Sequence, residues 1–321
     1  MNSTKKALKI VFMGTPGFAV PSLETIIANG YNVVGVVTVA DKPAGRGYKL
    51  QESDVKKSAV KHGIKVMQPV DLKSPEFIDE LNSLGTNLIV VVAFRKMPEE
   101  VWGLPKFGTF NLHGSILPNY RGAAPLNWAV INGEKETGVT TFFLDEKIDT
   151  GELIDHAKIN IEDNDTVGDI HDQLMDVGAQ LVLKTVQRIE KGEVKTVPQS
   201  EVKLTNEIKK APKIFKATCE VSWNKSGKEV HNLIRGLSPY PAAFSTLCFP
   251  DGKKMKVKLF KSEYSEGNGK EGQIETDQKT FLKIFCNQGA VEILALQPEG
   301  KKRMKTTDFL RGKDLTGCSF M

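Results

Sequence analysis

Short apolar runs alternate with helical patterns over the first 192 residues. The runs are rich in Val, Ile, Phe and Thr and are apolar on both faces, which is typical of parallel strands covered by helices. They are Lys9–Met13, Val33–Val39, Leu88–Phe94, Thr109–Leu112 and Val139–Leu144. The helical segments, each ending at a Gly, are Asp54–His62, a segment from Ser74 to Gly85 that starts with Ser74-Pro75, Ala124–Asn132, and a segment from Thr166 to Lys191. This alternation predicts a doubly wound α/β domain with a parallel sheet.

The pattern changes after Gly192. Residues 193–211 contain few apolar positions and predict a linker. A helix follows, from a capping box of Ser226 and Glu229 to Gly236. Five short strand-like runs then follow at turn-separated spacing: Phe244–Phe249, Lys256–Phe260, Gly272–Thr276, Phe281–Cys286 and Val291–Leu296. We therefore expect a first domain over residues 1–192, a linker over 193–211, and a small barrel over 212–321.

Composition restricts the class of protein. A chain of 321 residues suggests about two domains, and 40% hydrophobic with 26% charged residues is typical of soluble globular proteins. The longest apolar run, Leu88–Phe94, is far short of the roughly 20 residues that cross a bilayer. The four cysteines are isolated and have no histidine at metal-binding spacing, so we expect reduced thiols and no zinc or other metal site. The expected protein is cytoplasmic, and nothing in its sequence demands more than a monomer.

The positive charge is concentrated in the second half of the chain. The formal net charge of +5 divides into −3 for residues 1–206 and +8 for residues 207–321, where 21 Lys and Arg face 13 Asp and Glu. Two dense clusters stand out, the first formed by Lys253, Lys254, Lys256, Lys258 and Lys261 and the second by Lys301, Lys302, Arg303 and Lys305. Strand alternation places Lys254, Lys256 and Lys258 on one face. They form either a solvated basic strand that resists aggregation or, as we favour for two such clusters, a polyanion-binding surface.

The candidate chemistry is concentrated in Thr109–Gly122. Asn111 and His113 are two residues apart at the end of a predicted strand, so their side chains point to one face. An amide donor beside an imidazole is suited to stabilising an oxyanion and moving a proton. Without further context, a polar strand end that caps a loop is the alternative. The following loop, Ser115–Pro118, is suited to forming the wall of a site for a flat ligand.

Two other segments are candidates. Asp149 precedes Thr150-Gly151 after another strand, and it either forms an Asx turn or orients His113 and favours its charged form. The segment Asp41–Leu50 carries Lys42, Arg46 and Lys49 around two glycines, and it is either a mobile surface loop or a basic finger that grips phosphates.

Other motifs carry less chemistry. Gly14-Thr15-Pro16-Gly17 follows the first strand but lacks the third glycine of a dinucleotide fingerprint, and there is no Walker loop. We expect the remaining histidines to be structural, because one lies at a helix end, where a dipole contact explains it, and the other three have no acidic or cysteine partner at metal-binding spacing. They are His62, His156, His171 and His231.

Together these motifs resemble the folate-dependent formyltransferases. The resemblance rests on Asn111-Leu112-His113, Ser115-Ile116-Leu117-Pro118, Arg121-Gly122-Ala123-Ala124-Pro125 and Asp149-Thr150-Gly151. It extends to Gly14-Thr15-Pro16, Asp41–Leu50, Ser238-Pro239-Tyr240-Pro241, and Leu296-Gln297-Pro298 with Lys301-Lys302-Arg303-Met304, and so covers nearly the whole chain. It implies a Rossmann-like catalytic domain followed by an OB-like barrel. The chain departs from the family's usual Ala-Tyr-Gly after the fourth strand, where it has Ala93-Phe94-Arg95.

The resemblance implies an activity and its residues. Among the family, the match is to members that transfer the formyl group of 10-formyltetrahydrofolate to the α-amine of methionine on initiator tRNA. It implies that Asn111, His113 and Asp149 are catalytic and that Ser115, Ile116, Leu117 and Pro118 bind the folate. It further implies that the basic loop holds the acceptor end of the tRNA and the barrel follows its phosphates, with contacts from Lys42, Arg46, Lys49, Lys254, Lys256, Lys258, Lys301, Lys302 and Arg303. The base that accepts the amine proton is either Asp149 or a water.

Two rival functions fit parts of the sequence. One is a formyltransferase that acts on a small amine, such as glycinamide ribonucleotide or an amino-sugar nucleotide, which has no evident need for a second domain of charge +8. The other is a folate- or RNA-binding protein without catalysis.

Overall fold

We describe a computed structural model of residues 7–44, 49–203 and 207–321. The elements up to Lys191 are, in chain order, β1 (Lys9–Gly14), α1 (Val20–Ala28), β2 (Asn32–Val37), β3 (Lys42–Ala44), β4 (Lys49–Gln51), α2 (Asp54–Lys61), β5 (Val66–Met67), α3 (Pro75–Ser83), β6 (Leu88–Val92), α4 (Glu99–Trp102), β7 (Thr109–His113), β8 (Arg121–Gly122), α5 (Pro125–Ile131), β9 (Glu136–Phe143), β10 (Leu153–Asn160) and α6 (Val167–Lys191). Those that follow are β11 (Lys210–Ala211), α7 (Gly227–Gly236), β12 (Ala243–Cys248), β13 (Lys254–Ser265), β14 (Ile274–Thr276), β15 (Leu282–Phe285), β16 (Ala290–Pro298), β17 (Met304–Lys305), α8 (Thr306–Arg311) and β18 (Ser319–Phe320).

The chain divides into two compact units that interleave in sequence. The first comprises Met1–Arg121, Gly138–Ile159 and Asp172–Lys209, and the second comprises Gly122–Thr137, Asn160–His171 and Lys210–Met321. The second unit therefore takes two short segments from the middle of the chain, including α5. In that unit α5 packs against α7, and Asn127 Nδ2 donates a hydrogen bond of 2.8 Å to the carbonyl of Gly236.

The first unit is built on a sheet of seven described strands in the order β10-β9-β7-β6-β1-β2-β5. The pairs β1–β2, β1–β6, β6–β7 and β2–β5 are parallel. All five side chains of β6 are buried, as its continuous apolar run predicts for a strand covered on both faces. Gly14, at the end of β1, is required for packing, because a Cβ there would lie 2.9 Å from the Cβ of Ala19. The doubly wound domain predicted from the sequence is confirmed.

One side of this sheet differs from the simple parallel pattern. β9 pairs antiparallel with β7, and β10, which has no continuous apolar run, lies beyond it. The exposure of β10 explains why the sequence pattern does not predict it, since the residues from Asp155 onward are all half-buried or exposed. The turn between β9 and β10 carries Asp149, so this edge of the sheet positions a predicted site residue.

The second unit contains an antiparallel sheet that nearly closes into a barrel. Its described strands follow the order β14-β15-β16-β13-β12-β18, with β17 paired to β16. The ends approach each other where Phe320 in β18 donates a backbone hydrogen bond of 2.8 Å to Gly272, two residues before β14. Val257, Leu259, Leu296 and other inward-facing residues form a core with Ile234 of α7. The predicted small barrel is confirmed.

No helix in the described parts of the chain has a stretch both long and apolar enough to span a lipid bilayer.

Candidate active site and basic surfaces

β7 places two predicted site residues side by side. Asn111 is half-buried and His113 is buried at the carboxyl end of the strand, where the sheet opens into loops. The ring of His113 lies edge-on to that of Phe142, with centroids 6.4 Å apart. Its Nε2 donates a hydrogen bond of 2.8 Å to the carbonyl of Tyr120. This bond fixes the ring orientation and leaves Nδ1 facing the loop that follows β9.

That loop brings Asp149 to the imidazole. The Asp149 Oδ2 atom lies 3.8 Å from His113 Nδ1, which is within ion-pair distance and longer than a direct hydrogen bond. Asp149 has φ of 58°, a left-handed conformation that Asp tolerates better than most residues. The Asx turn of this loop is formed by Asp145, whose Oδ1 accepts from Lys147 N at 3.1 Å and from Thr150 Oγ1 at 2.7 Å. The turn thus orients the Asp149 carboxylate toward His113.

Gln199 supports this turn, although the sequence pattern does not indicate it as a site residue. Its Nε2 donates hydrogen bonds of 3.0 Å to the carbonyl of Asp149 and 2.8 Å to that of Gly151. Its Oε1 accepts from Arg121 Nε at 3.0 Å and Nη2 at 2.6 Å. Gln199 lies in the segment predicted as a linker and is buried. No local pattern marks it, since the contact joins residues about 50 positions apart.

The loop Ser115–Pro118 is tightly held. Ser115 Oγ donates a hydrogen bond of 2.6 Å to the carbonyl of Asn119, and Thr140 Oγ1 donates one of 2.6 Å to the carbonyl of Ser115. Thr140 Oγ1 also accepts from Leu117 N at 3.2 Å. Ser115, Leu117 and Pro118 are buried, whereas Ile116 is half-buried. The loop is therefore a rigid wall next to His113, and its contacts with a folate stay a prediction.

A cavity of about 450 Å³ lies in the first unit, lined by residues that follow β5, residues that follow β6 and α4, and by Glu146 from the loop that carries Asp149. Its lining is mixed: Val70, Leu72, Met97, Pro98 and Trp102 are apolar, and the other six residues, Asp71, Lys73, Arg95, Lys96, Glu99 and Glu146, are charged. Arg95, at the position where the sequence departs from the family pattern, donates hydrogen bonds of 2.9 Å to the carbonyl of Val70 and 2.5 Å to that of Pro69. It thereby joins two of the loops that line the cavity.

The basic segment Asp41–Leu50 forms a short hairpin. β3 and β4 pair antiparallel, with Lys42 opposite Gln51 and Ala44 opposite Lys49. Lys42 is exposed. Arg46 lies outside the described residues, and Lys49 is described by its backbone alone.

The two basic clusters of the barrel meet at one corner. Lys254, Lys256 and Lys258 alternate with Met255 and Val257 on β13, as the sequence predicts. The backbone N–H of Glu299, just after β16, donates a hydrogen bond of 2.9 Å to the Lys256 carbonyl. The exposed residues Lys301, Lys302 and Arg303 follow directly in the turn to β17.

Aromatic rings hold two of these cations in place. Lys256 Nζ lies 3.4 Å from the ring centroid of Phe244, and Arg303 Cζ lies 4.5 Å from that of Phe260. Cation–π contacts at such distances restrict long side chains at a surface. We name the surface formed by Lys254, Lys256, Lys258, Lys301, Lys302 and Arg303 the barrel basic surface.

Comparisons with known proteins agree over nearly the whole chain. Residues 8–186 match the family model described as formyl transferase, and residues 213–314 match that of the formyl transferase C-terminal domain. A methionyl-tRNA formyltransferase of Bacteroides fragilis is 52% identical over 314 residues, which cover 97% of each chain. One of Bacteroides thetaiotaomicron is 50% identical over 310 residues, which cover 96% of each chain.

Solved structures share the fold at lower sequence identity. The sugar 3N-formyl transferase WlaRD has a TM-score of 0.66 at 22% identity, covering 92% of this chain and 99% of its own. HypX from Aquifex aeolicus, solved with tetrahydrofolic acid, has a TM-score of 0.62 at 20% identity, covering 94% of this chain and 47% of its own. An N-formyltransferase from Helicobacter canadensis, in complex with folinic acid and dTDP-3-aminofucose, has a TM-score of 0.64 at 23% identity, covering 92% of this chain and all of its own. With both family regions matched and relatives of about 50% identity along its length, the chain belongs to the formyl transferase family.

Proposed function

We propose that the protein transfers the formyl group of 10-formyltetrahydrofolate to the α-amine of methionyl initiator tRNA, for the initiation of protein synthesis. The observation that carries the proposal is the approach of Asp149 to His113, on the strand that also carries Asn111. It is supported by the 52% sequence identity to a methionyl-tRNA formyltransferase over 97% of the chain.

The site geometry supports a division of roles among three residues. The amine attacks the formyl carbon, a C–N bond forms, and the carbonyl electrons move to the oxygen. The Asn111 amide stabilises that oxyanion, and so does an N–H of His113, which Asp149 helps to orient. Since 3.8 Å separates Nδ1 from Oδ2, a substrate oxygen or a water fits beside the pair and hydrogen-bonds to Nδ1. Collapse of the intermediate breaks the bond to folate N10, which takes up a proton, and Asp149 or a water accepts the proton lost by the amine.

The cavity in the first unit is our candidate for the pterin ring. Trp102 and the other apolar residues of its lining suit a flat heterocycle, the charged ones suit polar ring atoms, and its volume is in the range of small-molecule pockets. Glu146 borders the cavity and lies in the same loop as Asp149, so a ligand held there approaches the His113–Asp149 pair. Ser115–Pro118 then form a second wall for the folate, with Ile116 as the accessible side chain.

The tRNA contacts in this proposal come from two basic regions. The β3–β4 hairpin supplies Lys42, Arg46 and Lys49 to the acceptor end. The barrel basic surface supplies lysines and an arginine to phosphates along the RNA, which suits a sequence-independent, salt-sensitive contact.

The functional boundaries that we propose are a catalytic domain over residues 1–192, a linker over 193–211 and a tRNA-binding domain over 212–321. We further propose that the enzyme works as a monomer in the cytoplasm, where its aminoacylated RNA substrate is found.

A formylation assay tests the proposed function. Purified protein is given 10-formyltetrahydrofolate with methionyl initiator tRNA, methionyl elongator tRNA, or free methionine. We expect formylmethionine on the initiator tRNA only. Transfer to glycinamide ribonucleotide or an amino-sugar nucleotide, without transfer to tRNA, would support the small-amine alternative.

A further inference from the structure

One ammonium group joins the two ends of the β3–β4 hairpin. Lys56, in the first turn of α2, forms ion pairs with Asp41 and with Glu52, the latter at 3.0 Å from Nζ to Oε1. Asp41 directly precedes β3, and Glu52 directly follows β4. The cation therefore lies between the strand that enters the hairpin and the strand that leaves it.

Asp41 has a second partner on the sheet. Gln68 Nε2 donates hydrogen bonds of 2.8 Å to Asp41 Oδ1 and 2.7 Å to the carbonyl of Val39. The hydrogen bonds from Lys56 and Gln68 hold the pKa of Asp41 below its usual value, and the Asp41 carboxylate raises the pKa of Lys56. Both members of the pair are therefore charged at neutral pH.

The helix that carries Lys56 is itself fixed to the sheet. Ser53 Oγ caps α2 by accepting from Lys56 N at 3.1 Å, and it lies 2.7 Å from the buried Thr38 Oγ1 at the end of β2. Thr38 N donates a backbone hydrogen bond of 3.0 Å to Met67. The position of the ammonium is thus set by the first unit and not by the hairpin.

Lys56 is not placed as a phosphate contact. Only 17% of its side chain is exposed, against 54% for the neighbouring Lys57, and two carboxylates already surround its charge. Its contribution to RNA binding has to act through the hairpin.

We propose that Lys56 and Asp41 are positioning residues that fix the base of the β3–β4 hairpin and thereby aim Lys42 at the RNA. The inference rests on the proposed function, since the hairpin is taken as a tRNA contact. Without the ammonium, the Asp41 and Glu52 carboxylates repel each other, and the two strands of the hairpin separate at their base.

The test compares two variants that each remove one positive charge. Lys56→Met removes the ammonium at the hairpin base, while Lys57→Met removes an exposed one that pairs with Asp54 on the same helix. We expect Lys56→Met to raise the KM for methionyl-tRNA roughly tenfold, a loss of about 1.4 kcal/mol of binding, with the KM for 10-formyltetrahydrofolate changed less than about twofold. Lys57→Met should leave both KM values near those of the wild type.

A second-site change separates positioning from general damage. Adding Glu52→Gln to Lys56→Met removes the repulsion, so the KM for tRNA should fall back toward the wild-type value, and Lys56→Arg should retain most of the affinity. The inference is overturned if Lys56→Met behaves like Lys57→Met. It is also overturned if the KM for folate rises as much as that for tRNA, or if Glu52→Gln gives no rescue.

The formylation activity and the positioning role of Lys56 are tested by different results. If the wild-type protein does not formylate methionyl-tRNA, the proposed function is wrong. The same variants are then compared by equilibrium binding of uncharged tRNA, where equal affinities for Lys56→Met and Lys57→Met would reject the positioning role.

Discussion

The proposed oxyanion donor is an amide on a rigid strand. Asn111 is part of β7, which pairs with β6 on one side and β9 on the other, so the backbone that carries its side chain is fixed before substrate binds. Fixed donors of this kind owe their effect to the absence of reorganisation during reaction.

We expect Asn111→Ala to lower kcat by ~10²–10³, the usual cost of removing one oxyanion-hole donor, while folate binding is largely kept. Steady-state kinetics and a folate titration by fluorescence check this. Asn29→Ala, on the exposed end of α1, is a matched control and should stay at wild-type activity. An Asn111→Ala enzyme within a few-fold of wild type would remove Asn111 from the proposed role.

Gln199 should act on the reaction through the backbone of the Asp149 turn. Gln199→Ala and Gln199→Glu both remove the donors to the Asp149 and Gly151 carbonyls, but Glu keeps an acceptor for Arg121. If the donors position Asp149, both variants lose roughly ten- to a hundredfold in kcat, as expected for a displaced catalytic group. Wild-type activity of Gln199→Glu, with a defect in Gln199→Ala, would show that the Arg121 contact is the one that matters.

At the level of elements, α7 holds the segment that joins β10 to α6. His231 Nε2 donates a hydrogen bond of 2.9 Å to the Asp163 carbonyl, and its Nδ1 lies 3.0 Å from Ser262 Oγ. Arg235, also on α7, donates hydrogen bonds of 3.3 Å and 3.0 Å to the carbonyls of Glu162 and Asp165. Both side chains are buried, and these hydrogen bonds fix the segment to the helix.

The burial of His231 predicts a pH-dependent stability. Burial lowers the pKa of His231 in the folded protein, and the positive charge of Arg235 lowers it further. Asp163 and Glu263 raise the pKa, but their effect is smaller. The unfolded chain therefore binds a proton more readily below about pH 6.5. The contribution of His231 to the free energy of unfolding is therefore fully present above that pH. It falls as the pH is lowered further, by at most about 1.4 kcal/mol per pH unit.

Urea unfolding of the wild type and of His231→Gln, at pH 5.5 and 7.5, checks this prediction. The difference in stability between the two proteins should shrink at the lower pH. An equal difference at both pH values would mean that His231 does not bind its proton differently in the two states.

The sequence predicts those elements whose pattern is local. The five apolar runs of the first half, the capping box of α7 and the alternating lysines of β13 are all found in the structure. β5 and α4 are too short to leave a period, and β10 is mostly exposed or half-buried. The Asn111 and His113 pair is predictable because both residues lie on one strand, whereas Gln199 and Arg95 act through contacts that no local spacing encodes.

At the scale of the whole molecule, the charge asymmetry predicts a salt-dependent affinity. Removal of one cation that binds a phosphate should lower the slope of log KM for tRNA against log salt by about one. We expect Lys254→Gln with Lys258→Gln to raise that KM and to lower the slope by up to about two.

The matched control is Lys270→Gln with Lys279→Gln, two exposed lysines of the second unit outside the barrel basic surface. This pair removes the same charge and should leave the slope near the wild-type value. Equal slopes for both double variants would mean that net charge, and not the barrel basic surface, accounts for RNA binding.

The interleaving of the two units has a consequence for synthesis on the ribosome. The last residue of the first unit, Lys209, emerges before α7 does. The helix α5, which belongs to the second unit, therefore still lacks its partner α7 when the first unit is complete. About 100 residues separate the two helices, so at ~5–20 residues per second α5 stays without that partner for roughly 5–20 s. During that interval the surface that α5 packs against α7 in the folded chain has no partner to cover it. Slow codons that delay the emergence of α7 after that of α5 would lengthen this exposure, and the same codons translated after α7 has emerged would not.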